Sequence, residues 1–485
     1  MKILLFAMNG SYSHTCLAVY CLRNALERAG FTPKILEANL RDRRDAVLQS
    51  LYDERADIYS FSCYIWNIEE MLALSCDLKA LLPSAKIIFG GPEASFGVER
   101  FEGMTHIDHI VCGEGESALP RLCAAIESGE VPERIIKGGK SYAMGGEGIL
   151  YRDGDYEAGK MLYYESSRGC PYNCAYCLSS AESGVRAKSV EQTLSDLLEF
   201  EKLSSDIKII KFVDRTFNCD RKRANAIWRA LADEKYTKNY HFEICASLLD
   251  EESFRVLSRF PKGKIQLEVG LQSTNPDTLE EVSRHIDSAQ VLSAVKRLHE
   301  MGNMHIHLDL IAGLPYESYE RFKQSFNEAY FCCDMLQLGF LKLLHGTRLR
   351  MDAQKYGMVY SCRPPYNVLS TADISRDGLF RLSLIADLLD RYYSSERFSR
   401  CLAFAVPKAK SPFDFYDKLL DYIACEDGRE VRKLSQTDAF RMLYGYVKTF
   451  LDGADVAEFE ARMHEDFSAH EARKLPLSVI NGKRS

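Results

Sequence analysis

Twice along the chain, short apolar runs alternate with stretches of helical period, and nothing else in the sequence constrains the fold as strongly. In the first 140 residues the runs are 2–8, 57–63, 86–89 and 109–112, separated by helical patterns such as 17–29 and 68–82. Strands alternating with helices of this length build βαβ units, so residues 1–140 are expected to form an α/β domain, a doubly wound (Rossmann-like) parallel sheet. The apolar start is cut off by Asn9-Gly10-Ser11, too early for a signal peptide, and reads as a buried strand. Ligands of such sheets sit beyond the carboxyl ends of the strands. Two glycine-rich stretches fall there, Gly90-Gly91-Pro92-Glu93 and Gly113-Glu114-Gly115-Glu116.

Residues 141–160 are rich in Gly and Asp and read as a linker, with a hairpin-type turn at Arg152-Asp153-Gly154-Asp155. From 161 the alternation restarts. Candidate strands are 161–165, 208–213, 241–246, 265–269, 305–311 and 337–343. The helical patterns between them are 190–202, 221–233, 251–258, 276–283, 289–301 and 319–331. Six βα repeats over 161–350 predict a partial or full parallel barrel, whose chemistry sits at the C-terminal ends of its strands. Beyond, 351–485 carries apolar residues at helical spacing over 379–393, 413–425 and 437–450, a mostly helical third region.

Charge and cysteine usage narrow the function classes. Sixty-two Lys+Arg against 69 Asp+Glu give a formal charge of -7. That balance disfavours a surface that coats a large nucleic acid. No apolar run approaches the roughly 18 residues of a membrane span. Sixteen cysteines without a secretory signal point to a reducing cytoplasm rather than a disulfide framework. Cys63, Cys76 and Cys245 read as small core residues, and adjacent Cys332 and Cys333 as packing.

Three cysteines are spaced differently. Ser167-Arg168-Gly169-Cys170-Pro171-Tyr172-Asn173-Cys174-Ala175-Tyr176-Cys177 follows the first strand of the second alternation and has the spacing C-x₃-C-x₂-C. Three thiolates on one short loop can hold three irons of a [4Fe–4S] cluster. No fourth cysteine lies in the loop, and the next, Cys219, comes after another strand, so one iron would keep an open position. The competing readings are structural zinc and plain packing. Zinc wants four ligands, and no second pair stands at usable spacing.

This loop, with an aromatic before its last cysteine, resembles that of the radical SAM superfamily, in the subgroup with an N-terminal B12-binding-type domain; the likeness spans residues 1 to about 350. It implies that Cys170, Cys174 and Cys177 hold the cluster. It also implies that the open iron chelates the amino and carboxylate groups of S-adenosylmethionine (SAM), which one electron splits to a 5′-deoxyadenosyl radical. By the same resemblance Tyr176 lies against adenine, and Asp214 stands near the methionine amine. Glu243 and Ser247 flank the third strand, Glu268 and Gln272 contact ribose and methionine, Arg284 pairs with the carboxylate, and Gly313 turns the backbone against adenine. Each has a plainer reading: a salt-bridge partner for Glu243 or Glu268, a helix cap for Asp214, a solvated arginine, a simple turn. His305, His307 and Asp309 alternate along one strand and share a face. His307 and Asp309 could bind a polar substrate or form a buried structural network.

The first domain resembles B12-binding modules, with Gly90, Gly91, Gly113 and Gly115 in its strand-end loops. The Asp-x-His-x-x-Gly pattern of a replaced axial ligand is absent, and Glu93 stands where many relatives have His. Cobalamin could bind without a protein ligand, or the sheet could persist with the site lost. Three functions stay open: a lyase acting on a nucleoside-like small molecule, in the manner of queuine lyase; a cobalamin-dependent methyltransferase; and an iron–sulfur electron carrier or sensor. The resemblance also implies a flavodoxin- or ferredoxin-type electron donor.

Overall fold

The computed structural model describes residues 1–139, 144, 148–181, 184–470 and 475–480, so 141–143 and 145–147 of the expected linker lie outside the described residues. Contacts divide the chain into two compact units. The first is Met1–Gln266 with Lys342–Ala353 and Tyr360–Asn367; the second is Leu267–Leu341, Gln354–Val359 and Val368–Ser485.

The first unit begins with β1 (Ile3–Asn9), α1 (Leu17–Arg28), β2 (Lys34–Asn39), α2 (Arg44–Glu54), β3 (Ile58–Ser62), α3 (Ile68–Leu81), β4 (Lys86–Gly90), α4 (Pro92–Phe96), β5 (His109–Cys112), α5 (Gly115–Glu127) and β6 (Ile135–Lys137). The strands are parallel in the order β2-β1-β3-β4-β5-β6. Every residue of β1 is buried, which is why it reads as an unbroken apolar run. Phe6, Phe61 and Phe89 stand in register across β1, β3 and β4, with ring centroids 5.4 Å apart at each step. The two strands absent from the sequence reading, β2 and β6, are the sheet's edges. They cover less core, so their apolar signal is weaker. Cys76 is exposed rather than core: Ile68, Met71, Leu74, Ser75 and Leu78 are the buried residues of α3, and position 76 falls on the opposite face.

The second alternation opens with β7 (Leu162–Tyr164) and continues through β8 (Ser167–Gly169), β9 (Val185–Ala187), α6 (Val190–Glu201), β10 (Ile209–Phe212), α7 (Arg221–Leu231), β11 (Asn239–Ile244) and α8 (Glu251–Leu257). Strands β11-β10-β7 are neighbours in that order and parallel. Phe242 meets Phe212 at 4.5 Å and Trp228 of α7 at 6.1 Å, so this face turns toward the helices. The opposite face carries Tyr163, Lys211 and His241 in register. At 152–155 the Asp155 N–H does close a turn on the Arg152 carbonyl at 3.0 Å. The strands on either side, β6 and β7, belong to different sheets, so it is not a hairpin. A short helix, α12 (Arg348–Met351), belongs to the same unit, and its Leu349 N–H donates to the Ala175 carbonyl at 2.9 Å.

In the second unit lie β12 (Ile265–Gln272, its first two residues counted with the first unit), α9 (Pro276–Glu281), α10 (Ser288–Met301), β13 (His305–Ala312), α11 (Tyr319–Ala329) and β14 (Met335–Phe340). The strand order is β14-β13-β12. Burial alternates strictly along β12 and β13, with the polar residues Glu268, Gln272, His305, His307 and Asp309 on the half-buried face. Helices follow: α13 (Arg376–Leu388), α14 (Ser399–Ala405), α15 (Pro412–Glu426), α16 (Gln436–Val447) and α17 (Gly453–His470). Among the described residues no helix is long and apolar enough to cross a membrane. No disulfide links any of the sixteen cysteines.

Candidate cluster and cofactor site

The cysteine loop springs from a device the sequence reading missed. Strands β8 and β9 pair antiparallel, with Gly169 opposite Val185. Gly169 has φ +97, and a Cβ there would run into the Gly184 carbonyl, so only glycine fits directly before Cys170. Cys174 is buried, while Cys170 and Cys177 are partly accessible. The Thr216 hydroxyl lies 3.6 Å from Cys170 Sγ. Burial pushes the Cys170 thiol up, and the nearby Cys177 and Cys174 push the same way. Among the described residues no three His, Cys, Asp or Glu side chains converge on a single-ion position. A cubane asks for something else, since each thiolate binds a different iron and the sulfurs surround the cluster. The donor set fits the cluster.

Asp214 is fully buried. Its Oδ1 accepts the Ser166 N–H at 2.9 Å, and its Oδ2 accepts the Ser166 and Ser167 hydroxyls at 2.6 and 2.5 Å. Burial raises its pKa, against those three hydrogen bonds. Asp214 therefore braces the turn that leads into the cysteine loop; the helix that follows is capped by Asp220. The Tyr172 hydroxyl lies 3.4 Å from Cys245 Sγ, and Ser247 Oγ lies 3.2 Å from the same sulfur. Tyr176 and Glu243 are half-buried.

In the second unit Gln272 and Arg284 come together over Gly270. A Cβ on Gly270 would strike Gln272 Nε2 and stand 3.3 Å from Arg284 Nη2. Arg284 donates to the Gly270 carbonyl, so it is folded back onto β12 rather than solvated. Gln272 has φ +71, and its Oε1 is buried without a hydrogen-bond partner among the described residues. A strained residue with an orphaned acceptor is what a polar ligand such as SAM would complete. Glu268 lies on the same face of β12. Gly313, φ +90, ends β13 in a turn packed by Leu341, Leu379 and Val368, each 3.7 Å from where its Cβ would be. On β13, His307 meets His305 edge-on at 4.8 Å, Asp309 follows, and Glu396 lies 3.1 Å from His305 Nε2.

The glycine loops of the first sheet are partly as expected. Gly91 has φ +99, and its Cβ would stand 2.7 Å from the Cys63 carbonyl. Gly113 has φ +84 and lies against Gly138, whereas Gly115 is not in the loop but is the first residue of α5. The strand order reverses between β1 and β3, and the crevice there is where such sheets bind ligands. It holds an aromatic pair that the sequence reading passed over: Tyr64 and Trp66 stack at 4.4 Å and 8°, with Trp66 49% exposed. The pair directly follows the expected strand 57–63, so it was visible once the strand order was known. From the loop after β1, His14 meets Tyr163 of β7 edge-on at 5.9 Å. Burial and the charge of Lys211 lower its pKa. An exposed flat aromatic surface beside close-packed glycines suits a corrin.

Comparison with known proteins bears on each region. Residues 6–123 match the B12 binding domain, 164–329 the radical SAM superfamily, and 354–484 a family described as "protein of unknown function (DUF4080)". The chain is 23% identical over 324 residues to the cobalamin-dependent radical SAM methyltransferase TokK of Streptomyces tokunonensis, covering 60% of this chain and 46% of that protein. It is 24% identical over 335 residues to the hopanoid C-3 methylase of Methylococcus capsulatus, covering 63% and 62%. It thus spans less than two thirds of either. The solved structure of the cobalamin-dependent S-adenosylmethionine radical enzyme OxsB, with aqua-cobalamin bound, superposes with a TM-score of 0.64 at 13% identity, over 96% of this chain and 79% of that one. That likeness concerns the fold alone. Radical SAM and B12-binding domains are present.

Proposed function

We propose that this radical SAM enzyme is a cobalamin-dependent methyltransferase acting on a small polar molecule. Of the readings open from the sequence, this one has the support of the methyltransferase relatives, which a queuine-lyase-like cleavage lacks. The observation that carries it is the switch-point crevice, where Tyr64 and Trp66 lie in the same compact unit as the cysteine loop.

When bound, the cluster supplies the electron that splits SAM, and cobalamin supplies a methyl carrier. Cys170, Cys174 and Cys177 hold three irons. Asp214 holds the approach to their loop through Ser166 and Ser167. Gln272 and Arg284 bind SAM, the guanidinium fork suiting its carboxylate. Tyr176, Glu243, Ser247 and Glu268 complete its contacts, and Gly313 offers backbone to the adenine. Gly90, Gly91 and Gly113 let backbone approach the corrin. His307 and Asp309 bind substrate by hydrogen bonds, which disfavours a wholly apolar lipid. The division into 1–140, 161–350 and 351–485, a cytoplasmic setting and a flavodoxin- or ferredoxin-type donor belong to the same reading.

The test is anaerobic incubation of cobalamin-loaded enzyme with reductant, methyl-labelled SAM and pools of polar metabolites. Methyl transfer releases S-adenosylhomocysteine together with 5′-deoxyadenosine and a labelled product. 5′-Deoxyadenosine formed with substrate turnover but no S-adenosylhomocysteine would overturn the methyltransferase.

A further inference from the structure

Two arginines of the β8–β9 hairpin join the start of α5 to the cysteine loop. Arg168, two residues before Cys170, donates from Nε to Glu165 Oε1 at 2.9 Å and from Nη2 to Glu165 Oε2 at 2.7 Å and Glu116 Oε1 at 2.6 Å. Its Nη1 lies 3.6 Å from Glu114 Oε1. Arg186, opposite Arg168 in the hairpin, also pairs with Glu114, donating from Nη1 to Oε2 at 3.3 Å. The side chains of Glu114 and Glu116 are 6% and 7% exposed.

An ion cluster this buried is a poor source of stability, because desolvation offsets most of the attraction; its best-attested use is to fix register. Here the register it fixes is that of the cluster ligands. Between Arg168 and Cys170 stands Gly169, held against Gly184 with no room for a side chain. The guanidinium pins one end of that short span and the hairpin pins the other. We infer that Glu114 and Glu116 are positioning residues for the iron–sulfur cluster: through Arg168 and Arg186 the N-terminal domain sets where the Cys170 thiolate stands. This rests on the cluster reading of the three cysteines.

The experiment uses the full chain, reconstituted anaerobically, as wild type, Glu114→Gln, Glu116→Gln, Glu116→Asp and Arg168→Lys. Iron content, cobalamin uptake, and the EPR spectrum of the reduced cluster with and without SAM are measured. The Gln variants are expected to keep cobalamin uptake and iron. The fraction of cluster whose spectrum responds to SAM should fall at least about threefold. Arg168→Lys should fall with them, since one ammonium cannot serve three carboxylates as a fork does. Glu116→Asp, which keeps the charge on a shorter arm, should fall less than Glu116→Gln. Wild-type spectra and SAM response in both Gln variants and Arg168→Lys would overturn the inference while leaving the cluster reading intact. If the Gln variants fail to fold, Glu116→Asp decides: a lowered SAM response supports the inference and a wild-type one overturns it. A wild-type chain that takes up no iron overturns the cluster reading, and this inference with it.

Discussion

The phenol of Tyr366 donates a 2.6 Å hydrogen bond to the carboxylate of Glu93, 273 residues earlier in the chain. Arg100 Nη1 reaches the same carboxylate at 3.0 Å, and Glu93 is 4% exposed. The position that resemblance would give to a histidine thus holds a carboxylate already engaged by two partners. Tyr366→Phe removes a hydrogen bond to a charged group and should cost about 1.5–3 kcal/mol. Glu93→Ala strands Arg100 and should cost more, toward the roughly 3–5 kcal/mol of a broken buried pair. Denaturant midpoints read both, and a Tyr366→Phe midpoint equal to wild type would contradict the role given to this contact.

Cys170→Ala, Cys174→Ala and Cys177→Ala each remove one iron ligand. Each variant should lose cluster binding and 5′-deoxyadenosine formation while its far-UV dichroism stays that of wild type. Iron assay after anaerobic reconstitution is the measurement; full cluster occupancy in any one of them would refute the ligand set.

Trp66 is half exposed at the β1/β3 crevice and stacked on Tyr64. Aromatic contacts contribute about 0.5–1.5 kcal/mol beyond burial, so Trp66→Ala should weaken cobalamin about 3–10-fold, with iron content unchanged. An absorbance titration with aquacobalamin decides it. Unaltered affinity would move the corrin away from this crevice.

Glu317 is 1% exposed and accepts hydroxyl hydrogen bonds from Ser273 at 2.8 Å, Ser325 at 3.0 Å and Thr278 at 3.2 Å. Burial raises its pKa, against those bonds. A carboxyl whose pKa is higher folded than unfolded favours folding most in acid, below its unfolded pKa. That contribution is lost as pH rises through the folded value. Glu317→Gln should therefore gain on wild type between acid pH and neutrality. Parallel urea titrations of the two proteins would show the gap move in this direction; a gap constant with pH would exclude the shift.

What the sequence disclosed follows from how local each signal is. The cysteine triplet needs eight consecutive residues and no tertiary knowledge. Strands buried on both faces, such as Ile3–Asn9 and His109–Cys112, announce themselves as apolar runs. The edge strands Lys34–Asn39 and Ile135–Lys137 do not, because much of their surface faces solvent. The strict alternation on His305–Ala312 placed His307 and Asp309 on one face correctly. The meeting of Arg284 with Gln272 over Gly270 was out of reach, since it depends on a chain reversal after α9. The pairing of Glu114 and Glu116 with Arg168 and Arg186 joins residues 52 to 72 positions apart, and no spacing rule predicts it.

The first turn of a helix ordinarily welcomes negative charge, and in nucleotide-binding sheets that welcome is extended to a phosphate. In α5 the place is taken by the chain's own Glu114 and Glu116. A phosphodiester-bearing guest laid across this sheet would find that helix start already filled by carboxylates that Arg168 and Arg186 neutralise, and its anionic linkage would need other donors.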